Sequence, residues 1–221
     1  MSKTIAFIHT SPSMVPIFQA LSKELLPGAS IFNMVDESLL CDIIREGKTP
    51  PATARRLVGH VLSAEEAGAE FVMVTCSSMG RAVEASRALC AATVLRVDEA
   101  MAEKAVNTGL RVGVVATLPS TLEPTVALIK SCRRKDGKAV EVISEVVGGA
   151  FEAVMSGDGA RHDALVAQAL RGLSPKVDVI VLAQASMART ADALKPEEKP
   201  VPILSSPRLA VENLARIVGA R

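Results

Sequence analysis

The sequence predicts an α/β protein made of two similar halves, each a four-stranded, mainly parallel sheet flanked by helices. Three observations carry that prediction. Short apolar runs alternate with longer amphipathic segments along all 221 residues, as expected where strands and helices take turns. The runs are apolar nearly throughout, which fits parallel strands covered on both faces. The later part of the chain also repeats the earlier part.

In order, the strands of the first half are Thr4 to His9, Ala29 to Asn33, Phe71 to Thr75 and Thr93 to Val97. Those of the second half are Arg111 to Ala116, Val140 to Val146, Asp178 to Ala183 and Val201 to Leu204. Between them lie helix-like stretches such as Pro51 to Gly68, Asp98 to Thr108, His162 to Leu173 and Pro207 to Val218. "RRKDGK" at 133–138 reads as an exposed turn. The repeat appears in three blocks. Moved by 108 positions, "VMVTCSSMGRAVEA" lies on "IVLAQASMARTADA", so that Ser78, Met79 and Arg81 meet Ser186, Met187 and Arg189. Moved by 107, "IAFIHTSPS" lies on "VGVVATLPS"; moved by 109, "VLRVDEAMA" lies on "ILSSPRLAV". The halves are expected at 1–98 and 99–205.

Composition narrows the function. With 49% apolar and 22% charged residues the chain has ample material for a core. A formal charge of +1 leaves no electrostatic footprint for nucleic acid. Only 2% of residues are aromatic, without Trp or Tyr, so stacking platforms for bases are missing. No apolar run approaches the roughly 18 residues of a membrane span. "MSKTIAFIHT" has too few apolar residues for the core of a signal peptide, and the cytoplasm is the expected location. The four cysteines and three histidines form no C-x-x-C pair or H-E-x-x-H, and neither G-x-G-x-x-G nor the P-loop pattern occurs. Chemistry without metal or cofactor is therefore expected.

Ligands of open α/β sheets bind outside the carboxyl ends of strands. Here those ends read "HTSPS", "TCSSM", "ATLPST" and "AQASM". Hydroxyls and helix-start N–H groups suit a carboxylate, which makes Thr10, Ser11, Ser77, Ser78, Thr117, Ser120, Thr121 and Ser186 candidate donors. Cys76 stands at such an end, before an expected helix whose N-terminus would lower the thiol's pKa. Cys41, Cys90 and Cys132 read as small buried hydrophobes. His9 ends the first strand near Cys76 and has Ala116 as its counterpart, an acid/base or orienting partner for the thiol. Asp36 and Glu37 follow the second strand, as substrate contacts or as a helix start. His60 and His162 fall within helical patterns and are expected at the surface.

These motifs ("IAFIHTSPS", "TCSS", "RVGVVATLPSTLEP" and "DVIVLAQASMA") resemble those of the aspartate/glutamate/hydantoin racemase superfamily, which includes arylmalonate decarboxylase and maleate isomerase. The resemblance covers almost the whole chain. It implies pseudo-twofold-related α/β halves with a cleft between them, no pyridoxal phosphate or metal, frequent dimers, and a last helix (206–221) packed back on the first half. The racemases of that family place one cysteine from each half on either side of a substrate α-carbon, so that one thiol removes a proton and the other delivers one. Here Cys76 matches the first cysteine while Gln184 occupies the second position, and an amide has no proton to exchange near neutral pH. The resemblance thus implies an isomerase of racemase type acting beside a small carboxylate, with Cys76, His9 and Gln184 at its centre. A single-cysteine decarboxylase or lyase, a cis–trans isomerase, and a non-catalytic carboxylate-binding protein are the alternatives.

Overall fold

The computed structural model describes residues 2–132, 134 and 136–219. Strands β1 (Thr4–His9), β2 (Ser30–Val35), β3 (Phe71–Val74) and β4 (Thr93–Arg96) pair in the order β2-β1-β3-β4. Strands β5 (Arg111–Ala116), β6 (Glu141–Val146), β7 (Val179–Leu182) and β8 (Ile203–Ser205) pair in the order β6-β5-β7-β8. Every pairing is parallel. The helices are α1 (Met14–Leu25), α2 (Glu37–Glu46), α3 (Pro51–Glu66), α4 (Gly80–Ser86), α5 (Glu99–Thr108), α6 (Pro119–Ser131), α7 (Ala150–Met155), α8 (Gly159–Leu173), α9 (Ala188–Ala193) and α10 (Ser206–Gly219). Two compact units result, Met1–Glu99 with Pro207–Arg221, and Ala100–Ser206.

In the first unit the period of two along each strand sorts the core into two layers. Ile5 and Phe7, with Phe71, Met73 and Leu95, pack under Phe18 of α1 and Ala210, Val211 and Leu214 of α10. Ala6 and Ile8, with Val72 and Val74, pack under Leu39 and Ile43 of α2, Leu57 and Val61 of α3, and Val83 of α4. Both faces are covered, which is why these strands carry so few polar residues. In the second unit Val115, Ile180 and Leu182 face Val166, Leu170 and Leu173 of α8, and α5 buries Met101, Ala102, Ala105 and Val106.

The register makes the repeat three-dimensional. Ile8 pairs with Val74 and His9 with Val35; Val115 pairs with Leu182 and Ala116 with Val146. Counting outward from those pairs, Thr75 and Cys76 correspond to Ala183 and Gln184. In each sheet the first strand lies between its second and third, so the topological switch point falls between β1 and β3, and between β5 and β7. Cys76 and Gln184 stand just beyond those two points.

Several details differ from the sequence reading. His162 is buried, not at the surface: it shares the inward stripe of α8 with Val166, Ala169, Leu170 and Leu173. Cys41 is exposed, because α2 buries Leu39 and Ile43 and residue 41 falls on the opposite face. Cys90 and Cys132 are partly buried. Arg133 and Lys135 of the expected turn lie outside the described residues, as do Ala220 and Arg221; Asp136, Gly137 and Lys138 are exposed.

Candidate active site

Cys76 follows β3 in an extended conformation and leads into a three-residue 3-10 turn, Ser77–Met79, before α4 begins at Gly80. Its sulfur is reached by the hydroxyls of Thr10 and Ser78 and by the N–H groups of Ser78 and Met79. Burial pushes the Cys76 thiol up and outweighs these four donors. The helix-start N–H groups expected from the sequence do favour the thiolate, but desolvation outweighs them. At neutral pH Cys76 is a thiol, stored with the donors that would receive its thiolate. Thr10, Ser77 and Ser78 are buried around it. Thr49 Oγ1 donates to Ser78 O at 2.9 Å, tying the loop before α3 to this turn. Ser11 lies further out and bonds Ser13.

His9 is fully buried. Its Nδ1 lies 2.8 Å from Thr75 Oγ1 and its Nε2 lies 2.9 Å from Asn33 Oδ1. Phe7 and Phe18 flank the ring. Burial holds the imidazole below its ordinary pKa, opposed by the bond to Asn33, so the ring is neutral at pH 7. Both nitrogens are engaged within the sheet layer and neither is directed to the thiol. Asp36 caps α2 by accepting from Ser38 N, and it also accepts from His60 Nε2 at 2.8 Å. Burial alone would raise the Asp36 carboxyl, but Ser38 and His60 bring it below the usual range.

In the second unit Gln184 repeats the backbone of Cys76, extended and followed by a 3-10 turn, Ala185–Met187. Its Oε1 accepts from Thr117 N at 2.6 Å, and its Nε2 donates to Thr117 Oγ1 at 2.8 Å. The amide therefore closes on the end of β5, leaving one Nε2 proton. Ser120 and Thr121 are buried in the first turn of α6, whereas Ser186 is exposed.

Behind the Cys76 turn lies a charged network that sequence reasoning missed. Arg96, at the end of β4, donates from Nε and Nη2 to the two oxygens of Asp98 at 3.0 and 2.9 Å, and from Nη1 to Glu84. Asp98 is fully buried; burial pushes its carboxyl up, and the guanidinium pulls it back. The guanidinium occupies the space a side chain at position 80 would fill. The signal was present as "LRVD", charges inside an apolar strand, but only the pairing of β4 beside β3 brings it to the site.

Among the described residues no group of three or more His, Cys, Asp or Glu side chains is placed to hold a metal ion, and no helix is long and apolar enough to cross a membrane.

A search of curated proteins returns no match. Among solved structures the chain is similar to the aspartate racemase of Picrophilus torridus (12% identity, TM-score 0.74, 99% of this chain and 95% of that one). It is also similar to a glutamate racemase of Bacillus anthracis (17%, 0.71, 99% and 82%) and the allantoin racemase of Klebsiella pneumoniae (20%, 0.67, 99% and 89%). At these identities the likeness is one of fold. A family profile described as Asp/Glu/Hydantoin racemase matches residues 7–214, spanning both sheets and both switch-point turns. This chain belongs to the Asp/Glu/hydantoin racemase family.

Proposed function

We propose that this protein is a cofactor-independent enzyme that transfers a proton at the carbon next to a small molecule's carboxylate, with Cys76 as its proton carrier. The observation that supports this most is the protonated thiol at the switch point of the first sheet, ringed by Thr10, Ser78 and Met79 donors. A carbanion formed beside a carboxylate has enediolate character. Cys76 gives its Sγ proton to that carbon, the S–H electron pair stays on sulfur, and the four donors hold the resulting thiolate. Water returns the proton before the next turnover. Thr117, Ser120, Thr121 and the remaining Gln184 N–H are assigned to the carboxylate, with Ser11, Ser77 and Ser186 at the margin.

Proton transfer on one face follows from the occupied partners. Gln184 has no exchangeable acid, its amide is committed to Thr117, and both nitrogens of His9 are engaged. This favours a lyase-like or other one-faced reaction, such as protonation after loss of carbon dioxide. The family assignment favours a second reading, racemisation or epimerisation with water as the second proton carrier.

The test is turnover in heavy water with a panel of amino acids, hydroxy acids and substituted malonates, wild type beside Cys76→Ala. One-faced chemistry yields product deuterated in a single enantiomer, and only when Cys76 is present. Label in both enantiomers establishes the racemase reading. Cys76-independent label overturns Cys76 as the proton carrier, and no label at all while carboxylates still shield Cys76 from alkylation identifies a binding protein; either result overturns the proposal.

A further inference from the structure

The first unit holds a polar triad, a buried His9 with half-buried Thr75 and Asn33, that the second does without. By register, His9, Thr75 and Asn33 correspond to Ala116, Ala183 and Ser144. The same fold therefore has two alanines and an exposed serine where the first unit packs a buried imidazole against a hydroxyl and an amide. Buried polar groups are costly unless fully paired, so the fold itself gives no reason for the triad. What distinguishes the two units at that point is the thiol: Cys76 in one, Gln184 in the other.

Both ring nitrogens of the triad are paired. A neutral imidazole offers one donor and one acceptor. Asn33 Oδ1 takes the Nε2 proton, and Thr75 Oγ1–H meets Nδ1; the alternative acceptor of the Thr75 proton, Ile8 O, is longer at 3.2 Å. His9 thereby joins β1 to β2 on one side and to the end of β3 on the other. Its two neighbours in this arrangement are the ones that matter at sulfur. Thr10 follows His9 in the chain and bonds Cys76, and Cys76 follows Thr75.

We infer that His9 is a positioning residue: by clamping Thr75, with Asn33 bracing the ring from behind, it fixes the spacing of Thr10 and Cys76 and so the hydrogen bond that receives the Cys76 thiolate. This rests on Cys76 being the proton carrier. His9 itself transfers no proton.

The experiment is the pH dependence of iodoacetamide alkylation, site-mapped by mass spectrometry, with exposed Cys41 as the reference thiol in the same molecule. His9→Leu, Asn33→Ala and the near-isosteric Thr75→Val are each expected to move the Cys76 midpoint upward by about one pH unit, a roughly tenfold loss of rate at fixed pH below the midpoint, the scale of one hydrogen bond to a charged group. Thr75→Ser restores the wild-type midpoint, and the Cys41 midpoint stays put. Thr10→Val produces the same displacement, and combining it with Thr75→Val adds nothing further because both act on one bond. A Cys76 midpoint that holds in Thr75→Val, even if thermal stability falls, reduces the triad to a packing device and overturns the inference. That result is separate from failure of the proposed function, which is read as label transfer that does not depend on Cys76.

Discussion

Gly80→Ala puts the charged network beside the site to a quantitative test. A Cβ at position 80 would stand 2.3 Å from Arg96 Cζ, 2.4 Å from Nη2 and 2.6 Å from Nη1. Carbon contacts settle near ~3.5–4 Å, so the guanidinium must retreat by more than about 1 Å. It has no slack for that: the bonds to Asp98 are already 3.0 and 2.9 Å, and such a retreat carries them beyond hydrogen-bonding range. Leaving a buried carboxylate without its partner costs about 3–5 kcal/mol, while replacing glycine at a helix start returns at most ~1 kcal/mol. The net is a loss of roughly 2–4 kcal/mol, or a midpoint lower by roughly 5–15 °C for a chain of this size. Urea and thermal unfolding followed by circular dichroism measure it. The chain contains its own control, because Ala188 replaces Gly80 in the second unit, where Ser205 and Pro207 replace Arg96 and Asp98. Accordingly Gly80→Ala is expected to cost little when made on an Arg96→Met, Asp98→Leu background. A cost under about 0.5 kcal/mol in the wild-type background, the size of an ordinary surface substitution, would refute the argument that this guanidinium is fixed.

Two further outcomes follow from packing and charge. Leu214→Ala, which empties a fully buried site between α10 and the first sheet, is expected to cost about 2–5 kcal/mol by the same assays; Arg208→Ala, although it removes a two-pronged pair with Glu24, leaves the midpoint unchanged because both side chains are half exposed. Because burial lowers the His9 pKa from 6.5, the unfolded chain takes up a proton that the folded chain refuses, so the His9 contribution is complete above the unfolded value and is lost as pH falls through the folded one; urea midpoints from about pH 7 to about pH 5 should decline less steeply in His9→Gln than in wild type.

Much of the architecture was legible because its signals are local. The runs TIAFIH and RVGVVA coincide with β1 and β5 residue for residue, since central strands covered on both faces are apolar through their interiors. The last strand begins two residues later than its apolar run, at Ile203, because Pro202 has no N–H to enter the ladder and contributes only its carbonyl, to Ile180. Cys76 and Gln184 could be aligned as equivalents from sequence, yet their environments could not be read there. The thiol's pKa depends on how much solvent the fold removes, and the state of the Gln184 amide depends on Thr117, 67 positions away. His162 shows the opposite failing: its phase within α8 was available, and polarity alone suggested the surface.

α10 is translated after the whole second unit, yet with α1 it covers the face of the first sheet formed by Ile5, Phe7, Phe71, Met73 and Leu95. During synthesis that face emerges from the ribosome long before α10 does, and the whole second unit is translated in the interval. The nascent chain therefore carries a partly uncovered apolar sheet surface while the second unit is made, an interval in which such surfaces are prone to associate wrongly.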